Sequence, residues 1–254
     1  MTLFIYAISL ISSVLVGAGI VIFLHRLNQG RVVKILLSVS GGFLLALSFI
    51  HFIPEMYAHS TQAIGYYILL GFLLQLFLEY FSRGIEHGHI HADAGMKKGT
   101  IPWSLFIALS FHSVFEALPI SAMLSGELTG EIAESVGHVH NHALSAEGFL
   151  LGIILHNIPL SIALMTLLLA SGFNKMKAWI LIGIFSIMSP LGMYLGYFGN
   201  KGNILNTEVI LAVVVGMFLH ISTTIIFETS DNHKFNLMKL ISLLVGVGLA
   251  IFIM

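Results

Sequence analysis

Residues 147–171 read EGFLLGIILHNIPLSIALMTLLLAS, an apolar run with His156, Asn157 and Pro159 near its centre. A helix needs roughly 20 apolar residues to cross the hydrocarbon core of a bilayer. This run supplies them, without the period-two alternation of a barrel strand. Stretches of the same character lie on either side, at 3–24, 35–53, 63–82, 101–124, 179–198, 208–228 and 236–254. The expected fold is all-α, a polytopic membrane helix bundle of eight transmembrane helices, with residues 1–254 forming a single transmembrane domain.

Composition points the same way. The chain is 57% hydrophobic and only 9% charged, whereas a soluble domain carries about 25% charged residues. So few charges could not cover a water-exposed surface of this size, and lipid must solvate much of it. A net charge of -1 argues against nucleic acid, which demands a basic patch to replace released counterions. The absence of cysteine excludes disulfides and thiolate metal sites. The first apolar segment lacks a positive n-region and a small-residue cleavage end before Arg26, so it reads as a span rather than a cleaved signal peptide.

Orientation follows from the basic residues. The loops after the first, third, fifth and seventh spans, with the residues bordering them, hold Arg26, Arg31, Lys34, Arg83, Lys97, Lys98, Lys175, Lys177, Lys234 and Lys239. Of the 11 Lys and Arg residues, Lys201 alone falls elsewhere. The positive-inside rule makes those loops cytoplasmic and both termini extracytoplasmic. Trp103 and Trp179 then mark the cytoplasmic interface, and Tyr57, Tyr66, Tyr194 and Tyr197 the outer one.

Ionisable groups inside spans cost about 2.5–3.5 kcal/mol each for Asp or Lys on insertion scales, so they call for a compensating role. The fourth span reads Phe111-His112-Ser113-Val114-Phe115-Glu116-Ala117-Leu118-Pro119. His112 and Glu116, four residues apart, share one helix face. The fifth span contributes His156 and Asn157. Counted at about 1.5 Å per helical residue from the outer end of each span, His112 lies about 18 Å deep, Glu116 about 12 Å and His156 about 13 Å. Pro119 and Pro159 leave the carbonyls of Phe115 and Leu155 without their usual donor beside these residues, and Pro190 does the same for Ser186. The polar groups could satisfy one another as structural glue. Two imidazoles, a carboxylate and two prolines converging at one depth instead favour a site for Zn²⁺ or a similar divalent ion, with Ser113, Asn157 or water completing the shell.

These residues also carry a resemblance. His112-Ser113-Val114-Phe115-Glu116 resembles the HSVFEG-type signature of the fourth helix in ZIP metal transporters, and His156-Asn157-Ile158-Pro159 is similar to that family's fifth-helix motif. Gly41-Gly42-Phe43 through His51-Phe52-Ile53-Pro54-Glu55 resembles the second helix with its H-x-x-P-[DE] end. Glu79, followed by Glu86-His87-Gly88-His89-Ile90-His91, resembles the third helix and its histidine-bearing loop. Ser189-Pro190-Leu191-Gly192 resembles the sixth-helix element, and eight spans with both termini outside is the family topology. The resemblance implies zinc or a related divalent ion as transported substrate, moving into the cytoplasm. It makes His112, Glu116 and His156 the primary metal ligands, with Ser113 and Asn157 in adjoining positions. There are departures: Ala117 replaces a glycine, Leu160 stands where many members carry a second carboxylate, and Ser189 occupies a position that can be acidic. They imply one metal held at a time.

Other candidates surround this core. His51 and Glu55 could form an outer entry station or be an interfacial histidine beside a solvated glutamate. Glu79 could receive metal on exit or pair with a neighbouring helix. For His220, a hydrogen-bonded packing role is favoured over ligation. The acidic outer loop with Glu127, Glu131, Glu134, His138, His140 and His142 could concentrate cations, and His87, His89 and His91 could accept metal inside. Gly192 and Gly196 fit either internal packing or a homodimer.

The expected function is that of a divalent-metal transporter, with zinc foremost, working by alternating access in a bacterial inner or other plasma membrane. No enzymatic activity and no resident cofactor are expected; the partners are the metal ion and the bilayer. Two competing classes are a membrane-embedded zinc metallohydrolase, which would need a base beyond Glu116, and a metal sensor that does not transport.

Overall fold

Long apolar stretches without competing side-chain hydrogen bonds leave the backbone one way to satisfy itself away from water, and that is helix. A computed structural model of the protein describes residues 1–23, 29–59, 63–82, 103–124, 146–202, 204, 206–227 and 237–253. Among them every regular element is helical. The first span is α1 (Thr2–Phe23). The second comprises α2 (Gln29–Leu47), a π-helical turn (Ser48–Phe52) and α3 (Ile53–His59), and the third is α4 (Ile64–Ser82). The fourth is broken into α5 (Trp103–Ala117) and α6 (Ile120–Leu124). The fifth is α7 (Ala146–Ala170), and the sixth is α8 (Lys175–Ser186) followed by α9 (Met188–Lys201). The seventh is α10 (Thr207–Phe227) and the eighth α11 (Leu237–Ile253). Seven of these spans are long and apolar enough to cross a membrane, and α11 is a shorter apolar helix. The chain is a multi-pass membrane helix bundle.

The ends differ from the hydropathy reading where local chemistry intervenes. The second span runs from Gln29 to His59 rather than over 35–53. It is not stopped by Pro54, because the π turn ahead of the proline bonds Ile53 N–H to Ser48 O and the proline falls in a first helical turn, where no donor is needed. The sixth span begins at Lys175, four residues early, because Asn174 caps it by accepting from Lys177 N–H at 2.9 Å. Gly172, at φ 87°, makes the turn into that cap in a backbone conformation that side chains disfavour.

The prolines also behave differently from one another. The Phe115 carbonyl freed by Pro119 accepts from Leu118 N–H at 3.2 Å, closing a tight turn that ends α5. Pro159 sits inside a continuous α7. Near Pro190 the sixth span breaks outright, between Ser186 and Met188.

Glycines set which helices touch backbone to backbone. A Cβ on Gly192 would meet the Val114 carbonyl, and one on Gly196 the Leu118 carbonyl, so α9 lies directly on α5. The pair foreseen for either internal packing or a homodimer is thus used internally. Gly71 meets Val213 O and Gly216 meets Ile68 O, locking α4 to α10 from both sides. Gly42 and Gly246 do the same for α2 and α11 through Leu243 O and Val39 O, and Gly17 seats α1 on Ile158 O of α7. Where α2 crosses α7, Gly152 instead faces the side-chain ends of Leu44 and Phe43.

Candidate metal site

The fourth and fifth spans place the site. Helical spacing stacks His112 over Glu116 on α5, and α7 presents His156 and Asn157 to the same interior. All four are completely buried, as is Ser113. One ligand atom from each of His112, Glu116 and His156 lies within 4.8 Å of the other two. The imidazoles meet edge to face, centroids 5.6 Å apart at 78°. This is the one such His/carboxylate cluster of three found among the described residues.

The distances are compatible with ligation. His112 Nε2 stands 3.3 Å from Glu116 Oε2, longer than a charge-assisted hydrogen bond of about 2.7–2.9 Å. Tetrahedral zinc with bonds near 2.1 Å separates adjacent ligand atoms by about 3.4 Å. The His112–Glu116 edge already has about that length, and a His156 ring nitrogen lies within 4.8 Å of both partners' ligand atoms. Among the described residues neither Glu116 oxygen has a hydrogen-bond donor, nor does Asn157 Oδ1, although all are buried in a bundle where unmet acceptors are costly. Three oxygens in search of a positive partner suit a cation.

A set of neutral groups supports the cluster. Ser113 Oγ lies 2.7 Å from Ser189 Oγ, so Ser113 belongs to a hydroxyl pair. Asn157 Nδ2 donates to the same Ser189 Oγ at 3.4 Å, which leaves Oδ1 as the atom Asn157 can offer. His112 Nδ1 is 3.0 Å from Gln75 Oε1. An amide oxygen only accepts, so this contact is a hydrogen bond in the tautomer with the proton on Nδ1, which leaves the Nε2 lone pair toward Glu116. Sequence reasoning missed Gln75. The available signal was its place in the apolar third span, about 16 Å from Ile64 by helical rise and so near the depth of His112.

The remaining candidates stand elsewhere. Glu79 and His220 face each other across α4 and α10, with Oε2 and Nε2 3.3 Å apart. Phe72 packs edge-on against the His220 ring at 4.8 Å, so this pair realises the inter-helix contact weighed for Glu79. His51 lies in the π turn and Glu55 in α3; both are half-buried. Leu160 is fully buried. The loop clusters at 86–91 and 127–142, together with Glu228, lie outside the described residues.

The family model described as ZIP Zinc transporter matches residues 135–254, a stretch holding His156, Asn157 and Ser189. Protein zntD of Dictyostelium discoideum is 28% identical over 181 residues, covering 65% of this chain and 24% of zntD. Zinc transporter ZIP1 of Takifugu rubripes is 24% identical over 166 residues, covering 63% of this chain and 49% of that protein. The chain thus spans about a quarter and about half the length of these two relatives. With the family model on its C-terminal part and both relatives aligning over nearly two thirds of it, this chain is similar in sequence to ZIP zinc transporters.

Proposed function

We propose that the protein carries a divalent metal ion, with zinc foremost, through the membrane into the cytoplasm. The observation that carries this reading is the fully buried convergence of His112, Glu116 and His156 within 4.8 Å. Two imidazoles and one carboxylate suit zinc and its first-row neighbours. One carboxylate leaves a net positive charge on the loaded site, which favours release over permanent capture. With Leu160 and Ser189 in place of further carboxylates, the site holds one ion, and Asn157 Oδ1 is a natural fourth ligand.

The helix pairing supports alternating access. Backbone-to-backbone glycine contacts tie α1 to α7 and α5 to α9, the elements that carry the ligands and Ser189. Similar contacts tie α2 to α11 and α4 to α10. Where α2 crosses α7, the glycine contact is to side chains, which slide more readily than interlocked backbones. Motion of one set against the other would carry the site between the two sides. The positive-inside bias orients the termini outward and the exit inward, in a bacterial inner or other plasma membrane. Glu116 serves as a ligand in this reading, and the protein acts as a carrier rather than an enzyme.

Zinc uptake into proteoliposomes, measured beside a His112→Ala control, tests the reading. Saturable uptake that the substitution removes is expected. Absence of uptake by wild-type protein that nevertheless binds zinc would turn the reading toward a sensor.

A further inference from the structure

We infer that Gln75 is a positioning residue for the metal site, one that sets the tautomer of His112 from across the boundary between the two sets of helices. The inference rests on the transport reading and goes beyond it. Gln75 is completely buried in α4, and its Oε1 lies 3.0 Å from His112 Nδ1. A neutral imidazole has one N–H. Held at Nδ1 by the amide oxygen, the proton leaves Nε2, 3.3 Å from Glu116 Oε2, as the basic nitrogen. Free histidine prefers the opposite tautomer, with the proton on Nε2, where it would block the metal-facing nitrogen. Gln75 therefore removes a rearrangement that each binding event would otherwise require.

The location adds a second consequence. Gln75 stands on the helix seated on α10, whereas His112 stands on the helix seated on α9. The hydrogen bond thus links the two sets, and displacement of one against the other breaks it. Affinity is then highest in the arrangement seen here and falls as the site moves, so release needs no change in the ligands themselves. An amide suits this role better than a carboxylate. Partnering of a ligating histidine by a carboxylate raises its basicity and would hold the ion more tightly.

The test uses the purified full chain with Co²⁺ as the probe, its affinity read from the d–d absorption bands. Gln75→Leu and Gln75→Asn, the latter too short to reach, should each weaken Co²⁺ binding about 10- to 100-fold. Gln75→Glu should bind at least as tightly as wild type and lower both KM and maximal rate of zinc uptake. In ¹⁵N-histidine-labelled apo protein, the ring resonances missing from His112→Ala should report a proton on Nδ1 in wild type and on Nε2 in Gln75→Leu. Elution volume and melting temperature identify any variant that fails to fold; should the leucine variant do so, the asparagine and glutamate variants still decide. Co²⁺ affinity within twofold of wild type in a folded Gln75→Leu or Gln75→Asn protein overturns the inference, as does an unchanged His112 tautomer. If His112→Ala abolishes Co²⁺ binding while these variants leave it intact, the site stands and the positioning role falls. If His112→Ala binds Co²⁺ normally, the site reading itself falls.

Discussion

Ser113 and Ser189 share a hydrogen bond of 2.7 Å between hydroxyl oxygens, joining the fourth span to the broken sixth beside the candidate metal ligands. Ser189 also accepts from Asn157, so one side chain orients two others. Ser189→Ala strips partners from two buried polar groups. The expected loss is about 1–3 kcal/mol for each group left unsatisfied, seen as a lower melting temperature with weaker zinc uptake. Unchanged stability and uptake would show that the hydroxyl is dispensable.

Glu116→Gln keeps the shape of the site and removes its only carboxylate. The variant should reach the membrane in normal amount yet lose nearly all zinc binding, because the remaining ligands carry no charge to offset desolvation of a dication. Isothermal titration with zinc checks this, and wild-type affinity in the variant would refute ligation by Glu116.

Uptake should fall as pH drops. A histidine binds metal through a lone pair that protonation occupies, and the unperturbed imidazole titrates near about 6.5. In the proposed site metal and proton compete for His112 and His156, so affinity declines as the pH falls. Flux that is flat between pH 7.5 and 5 speaks against imidazole ligands.

One metal per chain is expected from equilibrium dialysis followed by elemental analysis of protein trimmed of its loop histidines. Leu160 is apolar and fully buried, and Ser189 is committed to hydrogen bonds, so neither position adds a charged ligand to the proposed site. Two tightly held ions per trimmed chain would contradict this.

The glycines separate into two kinds. Gly71→Leu and Gly246→Leu place side chains against backbone carbonyls and should abolish folding or cost several kcal/mol, as overpacking of a rigid contact does. At Gly183 and Gly248 an added Cβ meets nothing within 4 Å, so alanine there should be neutral or slightly stabilising through helix propensity. Thermal melts of the four variants in one detergent decide the matter.

Much of this was legible in the sequence because lipid is an unforgiving solvent. Each span announced itself by hydropathy, and His112, Glu116 and His156 stood out because charge-capable groups are expensive there. Gln75 escaped notice for the converse reason: an uncharged amide in an apolar span raises no alarm, and its meaning lies in a contact 37 positions away along the chain. The partner that the Phe115 carbonyl takes instead was not legible, because it depends on a local turn at Leu118, which spacing does not encode. The extra length of the second span was hidden likewise, since a proline normally signals a stop.

That second span holds a phase shift. A π turn spends one residue more than an α turn, and each residue advances an α-helix by about 100°. Ser48–Phe52 therefore rotates everything that follows by about that angle relative to an uninterrupted helix. The segment carrying Gly42 and Phe43 is dialled to α11 and α7, and the segment carrying Pro54 and Glu55 to another azimuth. Removing a single residue within the turn, so that it closes as an α turn, would leave Glu55 at about its present bearing although its number changes by one. In this span, residue number and compass bearing are separately adjustable.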